Sequence, residues 1–171
     1  MHPAEVEQAL GSLTILVDTR EHPTEQAQRR YASFGCPWRR EKLFAGDYSA
    51  AVTLPDGSEF SLAGSVAVER KMGFDELCQC FTHERKRFTA EFDRAKAESM
   101  RLYLLVEYGT WENAYSGKYR SQMKPNALTG SLLAWVARYG SPVLMCKPET
   151  SGRLIRDVLY REMKERLTAY E

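Results

Sequence analysis

The sequence predicts a mixed α/β fold, in which a central sheet carries helices on its faces. Two features of the pattern support this fold class. Short apolar runs of strand length fill the first half of the chain, and the second half alternates helical apolar spacing with further strand runs. With 171 residues, of which 43% are hydrophobic and 27% charged, the chain has the length and composition of one globular domain.

The first half is predicted to hold several strands and one helix. The helix begins after Thr24, a suitable N-cap, and ends before Gly35 and Pro37. A turn at residues 55–57 contains Gly57, which supplies the positive φ that such turns require. The predicted strands span residues 13–17, 38–44, 48–54, 59–62 and 66–71, and the helix spans residues 25–34.

The second half is predicted to alternate helices with strands at residues 102–106 and 143–145. Before the first of these strands, a single helix is predicted from one apolar face, formed by Phe81, Phe88, Phe92 and Ala95. The two later helices are marked by Leu128, Leu132, Trp135 and Val136, and by Leu154, Ile155, Val158, Leu159, Met163 and Leu167. The simplest arrangement packs the last helix on the domain's own sheet.

Composition and missing motifs exclude several classes of protein. No run approaches the roughly 18 apolar residues of a membrane helix, and the N-terminus lacks the basic start and apolar run of a secretory signal. Cys78 and Cys80 have one residue between them, which disfavours a structural zinc site. Glycine-rich nucleotide-binding loops and common hydrolase motifs are missing. We therefore expect a cytoplasmic protein with reduced cysteines and no membrane partner.

Positive charge is concentrated in one part of the chain, although the formal net charge is only +1. Residues 113–148 contain no acidic side chain. The same segment contains Lys118, Arg120, Lys124, Arg138 and Lys147, interleaved with Tyr115, Tyr119 and Tyr139. Local basic charge with aromatic residues favours a nucleic acid partner, but a solvated helix face would produce a similar run. Lys118, Arg120 and Lys124 precede a predicted helix, where we expect them to contact phosphates of DNA.

Carboxylates and a lysine cluster at predicted strand ends. Asp47 follows Gly46 at the start of one strand, and Glu69 and Lys71 point to the same face of another. One interpretation is that Glu69 and Lys71 form a surface ion pair where the strand leaves the core. The other is that Asp47 and Glu69 hold Mg²⁺, with Lys71 offsetting charge on a phosphate. Spacing alone leaves both interpretations open.

Three ordered motifs surround this cluster. They are Asp18-Thr19-Arg20-Glu21, Gly46-Asp47, and Glu69-Arg70-Lys71 followed by Met72-Gly73-Phe74-Asp75. This order resembles the nuclease domain of the XPF family, in which a strand ending in Asp-x-Arg-Glu precedes Gly-Asp and then Glu-Arg-Lys-x-x-x-Asp. Downstream, Arg87-Phe88 with Glu91 is similar to the family's arginine-containing helix. The resemblance covers approximately residues 13–161.

The resemblance implies a restriction-endonuclease-like fold and a DNA endonuclease that depends on Mg²⁺ or Mn²⁺. Such an enzyme hydrolyses phosphodiester bonds in branched or flapped DNA during repair or recombination. The implied catalytic residues are Asp18, Asp47, Glu69 and Lys71, of which Asp47 and Glu69 would bind metal together with the Arg70 carbonyl. The implied DNA-binding residues are Arg20, Arg70 and Arg87. We expect Asp75 to act only as a helix cap.

The resemblance also bears on organisation and partners. We expect a single nuclease domain over residues 1–171, with its core at about residues 13–161 and without the family's helix-hairpin-helix and helicase portions. A small stand-alone member would fit a bacterial or prophage genome. The family works as dimers, so we expect a homodimer that uses the last two helices. Two alternatives stay open: a catalytically weak DNA-binding subunit, and a junction resolvase or linear-DNA nuclease of the same fold.

Overall fold

One mixed sheet organises the computed structural model, which describes residues 1–169. The strands are β1 (Thr14–Asp18), β2 (Trp38–Glu41), β3 (Tyr48–Thr53), β4 (Glu59–Ser61), β5 (Val66–Lys71), β6 (Arg101–Glu107) and β7 (Val143–Cys146). Their order is β2-β1-β3-β5-β6-β7, and β4 pairs with β3. β1 runs parallel to β2 and antiparallel to β3, whereas β5, β6 and β7 are mutually parallel. The domain boundary predicted at Glu171 lies outside the described residues.

Helices cover both faces of the sheet, so the predicted fold class is confirmed. They are α1 (Pro3–Leu10), α2 (Glu25–Ala32), α3 (Phe74–Phe81), α4 (Arg85–Ala97), α5 (Trp111–Ser116), α6 (Pro125–Tyr139) and α7 (Pro148–Thr168). One apolar core joins α1, α2 and α7 to the sheet, and a second core joins α3, α4 and α6 to the opposite face. Within residues 1–169, no helix is both long and apolar enough to cross a membrane.

The last helix packs closely on the domain itself. Ile155, Leu159, Met163 and Leu167 of α7 are all at most 1% exposed, in the core shared with α1 and α2. Burial of this stripe stabilises α7 against the sheet, as its apolar spacing predicts. At Gly152 an added Cβ would collide with the carbonyl oxygen of Arg30, so glycine allows the close approach of α7 to α2.

Some predicted element boundaries are wrong, for local reasons. β2 ends at Glu41, because the Leu43 N–H donates to the Asp18 side chain instead of continuing a strand ladder. The single helix predicted over residues 81–95 is two helices, because Thr82 ends α3 and its hydroxyl donates to the Cys78 carbonyl. The pattern also did not predict the short helices α1 and α5.

Candidate active site

Gly46 and Asp47 form the turn that leads into β3. Gly46 has a φ of 77°, and a Cβ atom there would lie 2.8 Å from the Ala67 Cβ, so a larger residue would force a displacement. The Asp47 N–H donates to the Val68 carbonyl at 2.9 Å. The Asp47 carboxylate accepts a hydrogen bond from the Arg70 backbone N–H at 2.8 Å. The Gly-Asp pair therefore holds a carboxylate against β5.

Glu69 and Lys71 project from the same face of β5, as their two-residue spacing predicts. The Lys71 Nζ donates to Glu69 Oε1 at 2.6 Å and lies 5.2 Å from the centre of the Phe88 ring. Glu69 is 5% exposed and Lys71 is 8% exposed. Because both side chains are buried, the interpretation of Glu69 and Lys71 as a solvated surface ion pair is wrong.

The ionisable groups of this site perturb one another. Burial, and then the charge of Glu69, raises the pKa of Asp47 well above its ordinary value. Burial raises the pKa of Glu69 to about 7, although the charge of Lys71 acts in the opposite direction. Burial would lower the pKa of Lys71, but the charge and hydrogen bond of Glu69, with the charges of Cys80 and Asp47, together outweigh burial and raise that pKa. Two crowded carboxylates share one nearby ammonium, and added positive charge would stabilise their ionised forms.

The donor set fits a divalent cation of the Mg²⁺ type. Asp47 uses Oδ2 for the Arg70 N–H and Glu69 uses Oε1 for Lys71, which leaves Asp47 Oδ1 and Glu69 Oε2 free to bind a cation. Within residues 1–169, no group of three or more His, Cys, Asp or Glu side chains is arranged to hold a metal. Mg²⁺ usually retains several waters and binds through one or two carboxylates plus substrate phosphates. Asp47 and Glu69 match that kind of site, and not an all-protein cage.

A cavity of about 310 Å³ opens beside Asp47, Glu69 and Lys71; we call it the acidic cleft. Three arginines also line the acidic cleft: Arg20, Arg87 and Arg94. Buried acids flanked by exposed guanidinium groups can accept a cation and a phosphodiester together, because opposite charges are presented at adjacent points.

The helix α4 closes one side of the acidic cleft through a direct contact. The Glu91 Oε1 accepts a hydrogen bond from the Gly46 N–H at 3.0 Å, which ties α4 to the Gly-Asp turn. Arg87 pairs with Glu84 at 2.6 Å, and its side chain is 81% exposed. Arg87, for which the resemblance implies a DNA contact, thus lies exposed at the rim of the acidic cleft.

Asp18 organises the loop after β1 and is not among the residues that line the acidic cleft. Its carboxylate accepts hydrogen bonds from the Arg20 N–H and Nε at 2.7 Å, from Arg20 Nη2 at 3.0 Å, and from the Leu43 N–H at 2.8 Å. Burial would raise the pKa of Asp18, but the hydrogen bonds from Arg20 outweigh it and lower that pKa. Asp18 therefore fixes the position of Arg20, which does line the acidic cleft.

The Arg70 side chain lies on the opposite face of the sheet. Its Nη1 donates to Glu107 Oε2 at 3.0 Å, and Arg30 of α2 donates to Glu107 Oε1 at 3.2 Å. Arg30 also donates to the Tyr48 hydroxyl, which donates to Glu21 Oε1 at 2.9 Å. The structure thus does not bring the Arg70 guanidinium together with the acidic cleft. It places that group in a buried ionic network behind β5.

The predicted basic loop lies next to the acidic cleft rather than in it. Lys118, Arg120 and Lys124 are exposed between α5 and α6. The Asp75 carboxylate accepts from the Arg120 N–H at 2.9 Å, from Arg120 Nε at 3.0 Å and from the Ser121 N–H at 2.8 Å. The cap prediction for Asp75 is wrong, because Gly73 occupies the N-cap of α3 and Asp75 anchors this loop.

The tyrosines of the basic segment differ in exposure. Tyr115 is 59% exposed. The Tyr119 hydroxyl donates to the Met123 carbonyl, and the Tyr139 hydroxyl donates to Asp93. Only Tyr115 among the three presents most of its ring area for contact with a partner.

Sequence reasoning assigned no role to two residues of the acidic cleft, Glu91 and Arg94. A signal for them exists, because Arg87, Glu91 and Arg94 recur at four- and three-residue spacing on one helix face. The hydrogen bond from Gly46 to Glu91 spans 45 positions, and no local pattern encodes it.

Comparison with known proteins agrees with this architecture. The model of a protein family, the ERCC4 domain, matches residues 17–157. XPF from Aeropyrum pernix is similar in structure, with a TM-score of 0.60 and 20% identity over 92% of this chain. XPF from Aeropyrum pernix in complex with DNA gives a TM-score of 0.60 and 21% identity over 90% of this chain. The chain covers 62% and 66% of those two structures' lengths. No curated protein matches the sequence.

Proposed function

Because the chain belongs to the ERCC4-domain family, we propose that it is a DNA endonuclease that hydrolyses phosphodiester bonds with the help of a divalent cation. One observation carries the proposal: Asp47, Glu69 and Lys71 meet in a cleft whose rim holds exposed arginines. One of the similar structures is a complex with DNA, which supports DNA as the polymer bound here.

Asp47 and Glu69 are the residues that would hold Mg²⁺ or Mn²⁺. Burial and the charge of Glu69 raise the proton affinity of Asp47, and a cation held by the two carboxylates would offset that repulsion. When bound, such a cation supplies Lewis-acid chemistry to the scissile phosphate. The Arg70 backbone N–H keeps the Asp47 carboxylate in position for this role.

Lys71 would act on the charge that develops at the phosphate. Its ammonium is buried against Glu69 and Phe88, so few waters screen it. A fixed cation in such a site stabilises a transition state more than it would in water. Lys71 is therefore proposed as a catalytic residue together with Asp47 and Glu69.

The arginines have two different proposed roles. Arg20 and Arg87 would contact substrate phosphates from the rim of the acidic cleft. Arg70 would act from the opposite face, as a positioning residue that buttresses β5 through Glu107. Asp18 is likewise proposed as a positioning residue, because it orients Arg20 with hydrogen bonds to the backbone and to the guanidinium.

We propose branched or flapped DNA as the substrate, in repair or recombination, and a cytoplasmic location for the protein. The test is a cleavage panel with flap, fork, four-way junction, plain duplex and single-stranded DNA in Mg²⁺, Mn²⁺, Ca²⁺ or chelator. We expect Mg²⁺ and Mn²⁺ to support cleavage, fastest on flaps and forks, and Ca²⁺ to permit binding only. Undiminished cleavage in chelator would contradict metal dependence.

The same panel separates the alternatives. Binding without cleavage in any metal would contradict the nuclease proposal and favour a DNA-binding subunit. Preference for four-way junctions or for linear duplex would favour a resolvase or a linear-DNA nuclease of the same fold.

A homodimer is also proposed, with α6 as the main contact. The apolar stripe of α7 is already buried in the core, whereas Leu133 and Val136 on α6 are 49% and 38% exposed. These two side chains lie on one helix face, where a two-fold contact would cover both copies. Light scattering over a concentration series tests this proposal. A monomer at micromolar concentration, unchanged by flap DNA, would contradict it.

A further inference from the structure

Tyr108 combines a costly backbone conformation with an exposed ring. It follows β6 directly and has a φ of 56°, a region that glycine adopts easily and bulky residues rarely do. Its backbone N–H donates to the Cys146 carbonyl at 2.9 Å, which holds the chain in this conformation. The residue is 62% exposed. Packing therefore gives no reason for an aromatic residue at a position that suits glycine.

The surroundings of Tyr108 show what its ring could contact. Tyr108 and Met72 line a groove of about 340 Å³, with Lys118 and Arg120 also on its lining. Met72 is 53% exposed, so a thioether and a phenol ring both face solvent in this groove. Flat apolar surfaces next to cations are what a stacked base with its phosphates requires.

The groove adjoins the acidic cleft. Glu76 lies on the groove lining, and its Oε2 accepts a hydrogen bond from the Met72 N–H at 2.7 Å. The other oxygen of Glu76 lies 3.8 Å from the Lys71 Nζ. One side chain thus separates the groove from a residue of the cleft, which places the two within reach of a single DNA strand.

We infer that Tyr108 and Met72 form a stacking site for an unpaired base of the DNA substrate, beside the phosphate held in the acidic cleft. The inference rests on the proposed function. Lys118 and Arg120 would contact the phosphates flanking that base. The strained backbone of Tyr108 directs its ring outward, where it is available without rearrangement. Base stacking on an aromatic residue contributes roughly a 5- to 100-fold gain in affinity.

The test compares Tyr108→Gly with Tyr108→Phe, with Trp38→Ala as a control at a partly exposed aromatic residue of the edge strand β2. Binding is measured in Ca²⁺ with a flap that carries 2-aminopurine in its unpaired strand, and with a fully paired duplex. Wild type and Tyr108→Phe should quench the 2-aminopurine fluorescence. Tyr108→Gly should not quench it, and should bind the flap roughly 5- to 100-fold more weakly at unchanged duplex affinity. Trp38→Ala should behave like wild type.

Tyr108→Gly should also melt at a temperature at least as high as wild type, because glycine relieves the backbone strain. Equal flap binding and equal quenching by wild type and Tyr108→Gly would overturn the inference while leaving the nuclease proposal intact. A change in self-association without a change in flap binding would also overturn it, and would assign the ring to a protein contact. Failure of the wild type to bind or cleave any DNA would overturn the proposed function and this inference together.

Discussion

The carboxylate of Asp47 accepts a hydrogen bond from the backbone N–H of Arg70, at 2.8 Å and across 23 positions of the chain. Arg70 lies between Glu69 and Lys71, so this bond aligns Asp47 with both of them. On the other face of the sheet, the Arg70 guanidinium binds Glu107 at 3.0 Å. A single residue therefore connects the Gly-Asp turn, the centre of the acidic cleft and the ionic network behind β5.

Gly46→Ala should destabilise the protein by roughly 2–4 kcal/mol, through overpacking and a disfavoured positive φ. The added Cβ would lie 2.8 Å from the Ala67 Cβ and 3.2 Å from the Val68 carbonyl oxygen. Urea unfolding measures the loss. Gly64→Ala is the matched control, because nothing lies within 4 Å of a Cβ there. Equal stability of the two variants would contradict the packing argument.

Glu107→Gln should destabilise the fold by about 3–5 kcal/mol, because it leaves the buried guanidinium groups of Arg30 and Arg70 to share the single carboxylate of Glu21. Glu107 is 0% exposed and contacts both Arg30 and Arg70. Denaturant unfolding measures the change, with Glu25→Gln as a control in an exposed ion pair with Arg29. A loss no larger than that of Glu25→Gln would show that the buried network contributes little.

Glu162→Gln should make stability less sensitive to acid. Burial would raise the pKa of Glu162, but hydrogen bonds from Tyr103, Arg101 and Arg166 outweigh it and lower that pKa. A lowered pKa contributes stability above the unfolded value of 4.5, and this contribution is lost as pH falls through the folded value. The variant should thus be less stable than wild type at pH 7, by about 1–3 kcal/mol, and the gap should shrink in acid.

Urea unfolding over a pH series measures that gap. The exposed Glu165 of the same helix provides the control Glu165→Gln. A gap between wild type and Glu162→Gln that stays constant with pH would show that the ionised carboxylate is not its source.

Charge reversal of Lys118, Arg120 and Lys124 should weaken binding to all DNA sequences about equally. Each lost phosphate contact should also flatten the salt dependence of binding by roughly one unit. Titrations at several salt concentrations measure both effects. Arg153→Glu on α7, on the opposite face of the sheet, is the control. If the triple variant binds DNA like wild type across the salt series, the loop does not contact DNA and is only a solvated surface.

The sequence pattern correctly predicted those helices and strands that are determined by residues close together in the chain. The strand at residues 66–71 has its predicted bounds, because the run Val66-Ala67-Val68 is apolar and contains two β-branched valines. Alternation along the strand then places Glu69 and Lys71 on one face. The prediction of a single helix over residues 81–95 was wrong because the apolar spacing continues across the break between α3 and α4. Phe81 of α3 still packs against Phe88 of α4.

Contacts between residues far apart in the chain could not be predicted from the sequence pattern. The network behind β5 pairs Arg70 with Glu107, 37 positions away, and Arg30 with Glu107, 77 positions away, and the sequence contains no periodic signal for such pairings. The positive φ of Tyr108 was equally hidden, because turn chemistry predicts glycine or asparagine there and not tyrosine.

Glu69 and Lys71 are proposed to act on the cleavage reaction rather than on DNA binding. Single-turnover cleavage of flap DNA in Mg²⁺ tests it with Glu69→Gln and Lys71→Ala, beside Lys86→Ala, an exposed lysine on α4. We expect each site variant to lose roughly 100-fold or more in cleavage rate while its affinity for flap DNA stays close to that of wild type. Lys86→Ala should cleave normally. Near-normal cleavage by folded Lys71→Ala or Glu69→Gln would contradict the account.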